Sequence, residues 1–144
     1  MSVGIHYAGN EVAAHETAAC CTKVAQHGEL QRFEPVQADI GNSTERNALF
    51  TATLAMFGRL DALINNAGIT SVGRLDITEA TEESFDRVID VNLKAPYFLS
   101  QSAGNYWLAN PGDSRLAGGY KLVFIGSVSA DTASLNRGDY CLSK

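Results

Sequence analysis

Short apolar runs alternate along the chain with longer stretches in which apolar residues recur every three or four positions. Ser2 to Ala8 predicts a strand ending at Gly9-Asn10. Glu11 to His27 predicts a helix with Ala13, Thr17, Cys20 and Val24 on one stripe and Gly28 as its stop. Arg32 to Ala38 is a second strand, weakened by Pro35. Asn42 to Phe57 is a second helix: Asn42 stands three residues before Glu45, as in a capping box, and Gly58 ends it. Leu60 to Asn65 is a third strand. Thr81 opens a third helix, with Glu82 and Glu83 suited to its first turn, that runs with a break to about Leu108. After the polar loop Asn110 to Gly119 come a fourth strand, Lys121 to Ile125, and a last helix from about Arg137.

Strands alternating with helices imply right-handed crossovers and a parallel sheet, here one α/β domain over residues 1–144. The clearest strands are apolar on both faces, as a sheet covered on both sides requires. Ligands of such sheets bind beyond the carboxyl ends of the strands. Chemistry is therefore sought at Tyr7 to Asn10, Asp39-Ile40, Asn65 to Gly68 and Ser127 to Ala130.

Composition narrows the classes. Eleven Lys and Arg against sixteen Asp and Glu leave a formal charge of −5 with no basic block, which argues against a nucleic-acid partner. No apolar run approaches the roughly eighteen residues of a membrane span, so a soluble, cytoplasmic chain is expected. The three cysteines, Cys20, Cys21 and Cys141, have no CxxC spacing, and no metal site is expected. His6, His15 and His27 read as surface or helix-face residues.

Candidate chemistry sits at the predicted strand ends. Asn65-Asn66-Ala67-Gly68 lets backbone approach a flat ligand and offers neutral donors and acceptors, although the same residues also make a simple turn. Ser127 and Ser129 follow the fourth strand, where serines are common. Tyr140 and Lys144 are one helical turn apart. An ammonium so placed favours the phenolate and brings proton exchange by a tyrosine nearer neutral pH; the bland alternative is a solvated helix face. On the third helix Phe85, Val88 and Ile89 share a stripe whose next member is Asn92. Pro96, four residues on, lacks the N–H that would bond the Asn92 carbonyl. A kink there leaves that carbonyl for a water or a side chain, or is structural only.

In this order the residues resemble the short-chain dehydrogenase/reductase family: Asp39 in VQADI, Asn65-Asn66-Ala67-Gly68, Asn92 in DVNLKAPYFL, Ser127 in IGSVSA, and Tyr140 to Lys144 in YCLSK. Ser127 precedes Tyr140 by thirteen residues, as the family pattern prefers. The stretch SLNRGDYCLSK is similar to 3-oxoacyl-[acyl-carrier-protein] reductase-like members. The resemblance implies a Rossmann-like, doubly wound parallel sheet and hydride transfer between NAD(P)H and a carbonyl or alcohol substrate. It implies Tyr140 as acid/base, Lys144 beside it and on the nicotinamide ribose, Ser127 on the substrate oxygen, and Asn92 holding a water through its carbonyl. Asp39, with Ile40 beside it, would meet the adenine, and Asn65, Ala67 and Gly68 the adenosine and ribose. Full-length members are expected to be homo-oligomers.

Cofactor choice leans to NADP over NAD, because His6 to Asn10 offers no carboxylate for a ribose 2′-OH before Glu11. No arginine there supplies a 2′-phosphate clamp. The family's opening strand and TGxxxGxG turn are not in the sequence, and nothing follows its YxxxK. A sheet truncated at both ends is the expectation, and with it a fragment that binds NADP(H) poorly and turns over negligibly. The alternative is a shortened, non-catalytic form that associates with a full-length relative; a third reading is an unfolded remnant.

Overall fold

The computed structural model describes residues 1–144, the side chain of Glu29 excepted. It comprises two compact units, residues 1–59 and residues 60–144.

In the first unit, β1 (Val3–Tyr7) pairs in parallel with β2 (Phe33–Gln37), with Ile5 opposite Pro35. This sheet has two strands only, which accommodates a proline in β2. The crossover is α1 (Glu11–Lys23), capped by Asn10, whose side chain accepts from the Ala13 N–H at 3.0 Å. The helix is shorter than the periodicity predicts. It ends at Lys23, and Gly28 instead begins a separate 3₁₀ turn with a positive φ. Its inner stripe is also one position later than predicted: Ala14 and Ala18 are buried, while Ala13, Thr17 and Cys20 are exposed. Small residues occupy both stripes, so hydrophobicity alone does not distinguish them. The next helix, α2 (Ser43–Phe57), starts where local chemistry directs it. Asn42 accepts from the Thr44 and Glu45 N–H groups, and Gly58 closes the helix in the left-handed region. Glu45 does not return to the Asn42 N–H as a capping box would; it accepts from Asp39 N–H at 2.7 Å. His6 is not a plain surface residue either, since its ring donates to the Ala38 carbonyl at 2.8 Å.

In the second unit, β3 (Ala62–Asn65) pairs in parallel with β4 (Lys121–Phe124), again in a two-stranded sheet. The connection is a long helical run: α3 (Glu82–Ile89), a π-turn over Asp90–Lys94, and α4 (Ala95–Ala109). The break expected at Pro96 is this π-turn. A proline at position 96 cannot donate and its ring crowds the carbonyl four residues back. The wider turn makes room, and Ala95 N–H bonds the Asp90 carbonyl across five residues. The run buries Ser84, Val88, Val91, Asn92, Ala95, Leu99 and Ala103. Phe85, predicted inward, is 43% exposed, and its neighbour Ser84 takes the inner position because its hydroxyl has partners there. Trp107 ties α4 to the start of β3 by donating to the Leu60 carbonyl at 2.9 Å. All four residues of β4 are exposed, against the expectation of a strand covered on both faces. β3 bonds one edge of β4, and no helix among the described residues covers its faces closely enough to bury them. The last helix, α5 (Gly138–Leu142), carries Tyr140.

Candidate active site

Three segments of the second unit converge: the chain after β3, the π-turn, and α5 with Lys144. Their common point is the Asn92 side chain. Its Oδ1 accepts from Ile69 N–H at 2.8 Å, and its Nδ2 donates to the Ile69 carbonyl and to Ser143 Oγ, each at 2.9 Å. Ser143 Oγ in turn donates to the Tyr140 carbonyl at 2.8 Å. Asn92 is 6% exposed and Ser143 5%, so these bonds are made away from water and are costly to break. Pro96 bears on the Asn92 main-chain carbonyl, whereas these three hydrogen bonds belong to the Asn92 side chain.

Tyr140 lies between two cations. Lys144 Nζ is 5.8 Å and Arg137 Cζ 5.6 Å from the centroid of its ring, within the range of cation–π attraction. Lys144 Nζ also donates to the Ile125 carbonyl at 3.4 Å. A cavity of about 260 Å³ opens here, with Gly68, Thr70, Gly126, Arg137, Tyr140 and Lys144 among its lining. A second, of about 580 Å³, shares Ile125, Gly126 and Lys144 with it and extends along Asn65, Ala67, Asn92 and Ser100. Gly68 is required by close approach: a Cβ there would stand 3.1 Å from Lys144 Nζ and 3.4 Å from Asn92 Oδ1. Asn65 is held by its Nδ2, which donates to Ser100 Oγ at 3.3 Å.

The start of α5 is anchored by a residue that sequence reasoning passed over. The Asp139 carboxylate accepts from Ser71 Oγ, from Ser84 Oγ at 2.7 Å and from Tyr140 N–H at 2.7 Å. Partial burial pushes this carboxyl up, but the hydrogen bonds from Ser71, Ser84 and the backbone together outweigh it and hold it below the usual carboxylate range. Ser84 belongs to the first turn of α3, where Thr81 Oγ1 accepts from its N–H, and its own Oγ accepts from Val72 N–H at 3.0 Å. One carboxylate therefore fixes the tyrosine-bearing turn to the α3 N-terminus and to the segment after β3. The only sequence signal was an acidic residue in a helix first turn.

Of the predicted site residues, Asn65, Asn66, Ala67, Gly68, Asn92, Tyr140 and Lys144 line these two cavities. Ser127 is not among the lining residues; it caps the 3₁₀ turn Val128–Ala130, accepting from Ser129 N–H at 3.2 Å. Ser129 is buried, with its Oγ 3.4 Å from that of Ser134. Asp39 and Ile40 belong to the first unit, where Asp39 Oδ1 accepts from Gly41 N–H at 3.0 Å and Ile40 is buried. Arg137 and Thr70 join the lining without having been singled out.

Known proteins match the whole chain. The family model described as short chain dehydrogenase matches residues 1–144. The 2-dehydro-3-deoxy-D-gluconate 5-dehydrogenase of Escherichia coli K12 is 28% identical over 100% of this chain and 54% of its own length. The 3-oxoacyl-[acyl-carrier protein] reductase of Brucella melitensis in complex with NAD superimposes with a TM-score of 0.79 at 30% identity, covering 99% of this chain and 52% of its own. The landomycin C-6 ketoreductase LanV with bound NADP and rabelomycin gives 0.77 at 30% identity, over 99% and 54%. The chain spans about half the length of the curated relatives it matches. Among the described residues no helix is long and apolar enough to cross a membrane.

Proposed function

Because the chain belongs to the short-chain dehydrogenase family, we propose that its residues serve an oxidoreductase that interconverts a small carbonyl compound and its alcohol with NADP(H). The single observation behind this reading is the convergence of Tyr140, Lys144 and Asn92 on two adjoining cavities, the smaller of them lined by Gly68. The cavity walls fit a nicotinamide nucleotide. Gly68 lets the Lys144 ammonium and the Asn92 amide come close to the backbone after β3, and Asn65 and Lys144 supply a polar group and a cation that would hold a ribose and ring in the adjoining space. When bound, that group supplies or accepts the hydride.

The protein's own part is proton chemistry and placement. Tyr140 gives its phenolic proton to the carbonyl oxygen during reduction and takes it back during oxidation. The Lys144 ammonium, one turn away, stabilises the phenolate left behind. Asn92 fixes their segment against the chain after β3: its side chain joins Ile69, next to Gly68, to Ser143, next to Lys144. Ser127 is proposed to hydrogen-bond the substrate oxygen, and Asp39 with Ile40 to meet the adenine of the cofactor. The two units are proposed to be parts of one nucleotide-binding domain, and the whole protein to be a cytoplasmic homo-oligomer. NADP is preferred to NAD because no carboxylate follows β1 before Glu11; the relatives above include one protein solved with each.

The test joins residues 1–144 to the remaining half of the Brucella melitensis reductase and follows NADPH oxidation with a simple ketone. Turnover is expected, and Tyr140→Phe is expected to lower kcat by about 10²–10⁴. A rate indifferent to Tyr140→Phe overturns the reading.

A further inference from the structure

The smaller cavity has a charge that the hydride-transfer reading leaves unused. Two cationic side chains line it, Arg137 and Lys144, and no acidic side chain does. The chain as a whole carries −5, so this sign is local and built in. Asp139, the acidic residue nearest in sequence, spends its carboxylate on Ser71 and Ser84. Lys144 Nζ bonds the Ile125 carbonyl and lies near the tyrosine ring. Arg137 is placed differently. Its Cζ rests against that ring at 5.6 Å, while its buried Nε has no hydrogen-bond partner among the described residues. That Nε is shielded from solvent, so an anion in the cavity would meet the terminal Nη donors, which carry no hydrogen bond among the described residues. A guanidinium presents its donors as a planar fork that matches the two oxygens of a carboxylate.

We propose that Arg137 is a specificity-determining residue that binds a carboxylate on the substrate, so that the cavity selects small keto acids and hydroxy acids over neutral ketones and alcohols. The position suits this role. Arg137 is the residue before α5 and Tyr140 lies three residues on, so one short segment presents both the proton donor and the anion clamp to the same space. A volume of about 260 Å³ lies just below the common range for ligand pockets, which suits a small acid. The proposal rests on Tyr140 acting at the substrate carbonyl. The competing source of an anion is the cofactor's phosphate, and the experiment separates the two.

Binding is measured on the ¹⁵N-labelled full chain by NMR titration with levulinate, with methyl levulinate as its neutral counterpart, and with inorganic pyrophosphate. Levulinate is expected to bind at least about tenfold more tightly than the ester, because only the acid forms a charge-assisted pair with the guanidinium. Arg137→Met is expected to bring the two within about twofold, and Arg137→Lys to keep part of the preference because it keeps the charge but not the fork. Retention of the wild-type amide spectrum by Arg137→Lys keeps the comparison valid if the methionine variant unfolds. Equal binding of acid and ester by the native chain overturns the proposal. So does a preference that survives Arg137→Met, or a loss confined to pyrophosphate, which assigns the arginine to the cofactor. The chemical reading is judged separately: if Tyr140→Phe leaves turnover of the joined protein unchanged while the acid preference depends on Arg137, the reductase mechanism fails and the anion site stands.

Discussion

A single amide, that of Asn92, occupies a position for which its residue type is specific. It accepts from one backbone N–H and donates to one carbonyl and one hydroxyl, which aspartate and alanine cannot reproduce. Asn92→Ala leaves the buried Ser143 and both polar groups of Ile69 without these partners. A destabilisation of about 2–3 kcal/mol is expected in urea unfolding, with Asn92→Asp no better because it brings an acceptor to a carbonyl. A loss under about 0.5 kcal/mol, the range of ordinary surface substitutions, contradicts this account of the site. The importance of Asn92 was legible in the sequence, since an amide on an apolar stripe before a proline is anomalous. Its partners were not, because Ile69 and Ser143 lie 23 and 51 residues away and nothing in their own neighbourhoods marks them.

At the scale of elements, local chemistry reads well and long-range polar contacts do not. The caps Asn42 and Thr81 and the stop Gly58 appear in their predicted roles, since each acts within four residues of itself. The buried side of α1 was misplaced because Ala14 and Ala18 differ too little from Ala13 and Thr17 for periodicity to choose between them. Asp139 resembled any acidic residue of a first turn, and its hydroxyl partners lie 55 and 68 residues away. Its folded-state carboxyl is held low by those hydroxyls and a backbone N–H. The stabilisation it brings is thus complete above the usual carboxylate range, near pH 4, and is lost as pH falls through its lower folded value. Asp76, held low by the Thr78 N–H and hydroxyl, acts in the same direction and the same window. A Tm series from pH 7 to pH 3 is therefore compared between the native chain and Asp139→Asn. The variant is expected to start lower and to fall less steeply below about pH 4; parallel curves would remove Asp139 from the account of how α5 is anchored.

The molecule as a whole joins short parallel strand pairs to helices, and its apolar strands are not all covered. Leu122, Val123 and Phe124 are 42%, 39% and 55% exposed, and Ile64 on the neighbouring strand 58%. Exposed apolar strands of this kind template pairing with other chains. The double variant Leu122→Thr/Val123→Thr keeps residues compatible with a strand and removes part of that surface. It is expected to raise the concentration at which light scattering reports association by at least about twofold, and an unchanged threshold would place the adhesive surface elsewhere. A different consequence of scale follows from the π-turn. Such a turn absorbs one residue more than a regular helix over the same rise. Loss of one residue at Leu93 or Lys94 would not restore ordinary winding by itself, because Pro96 would then crowd the Val91 carbonyl in a regular helix. The same loss within α4 would swing every following side chain by about 100°. The extra residue and the proline are thus a matched pair: a single-codon deletion in the π-turn is tolerated only together with replacement of Pro96.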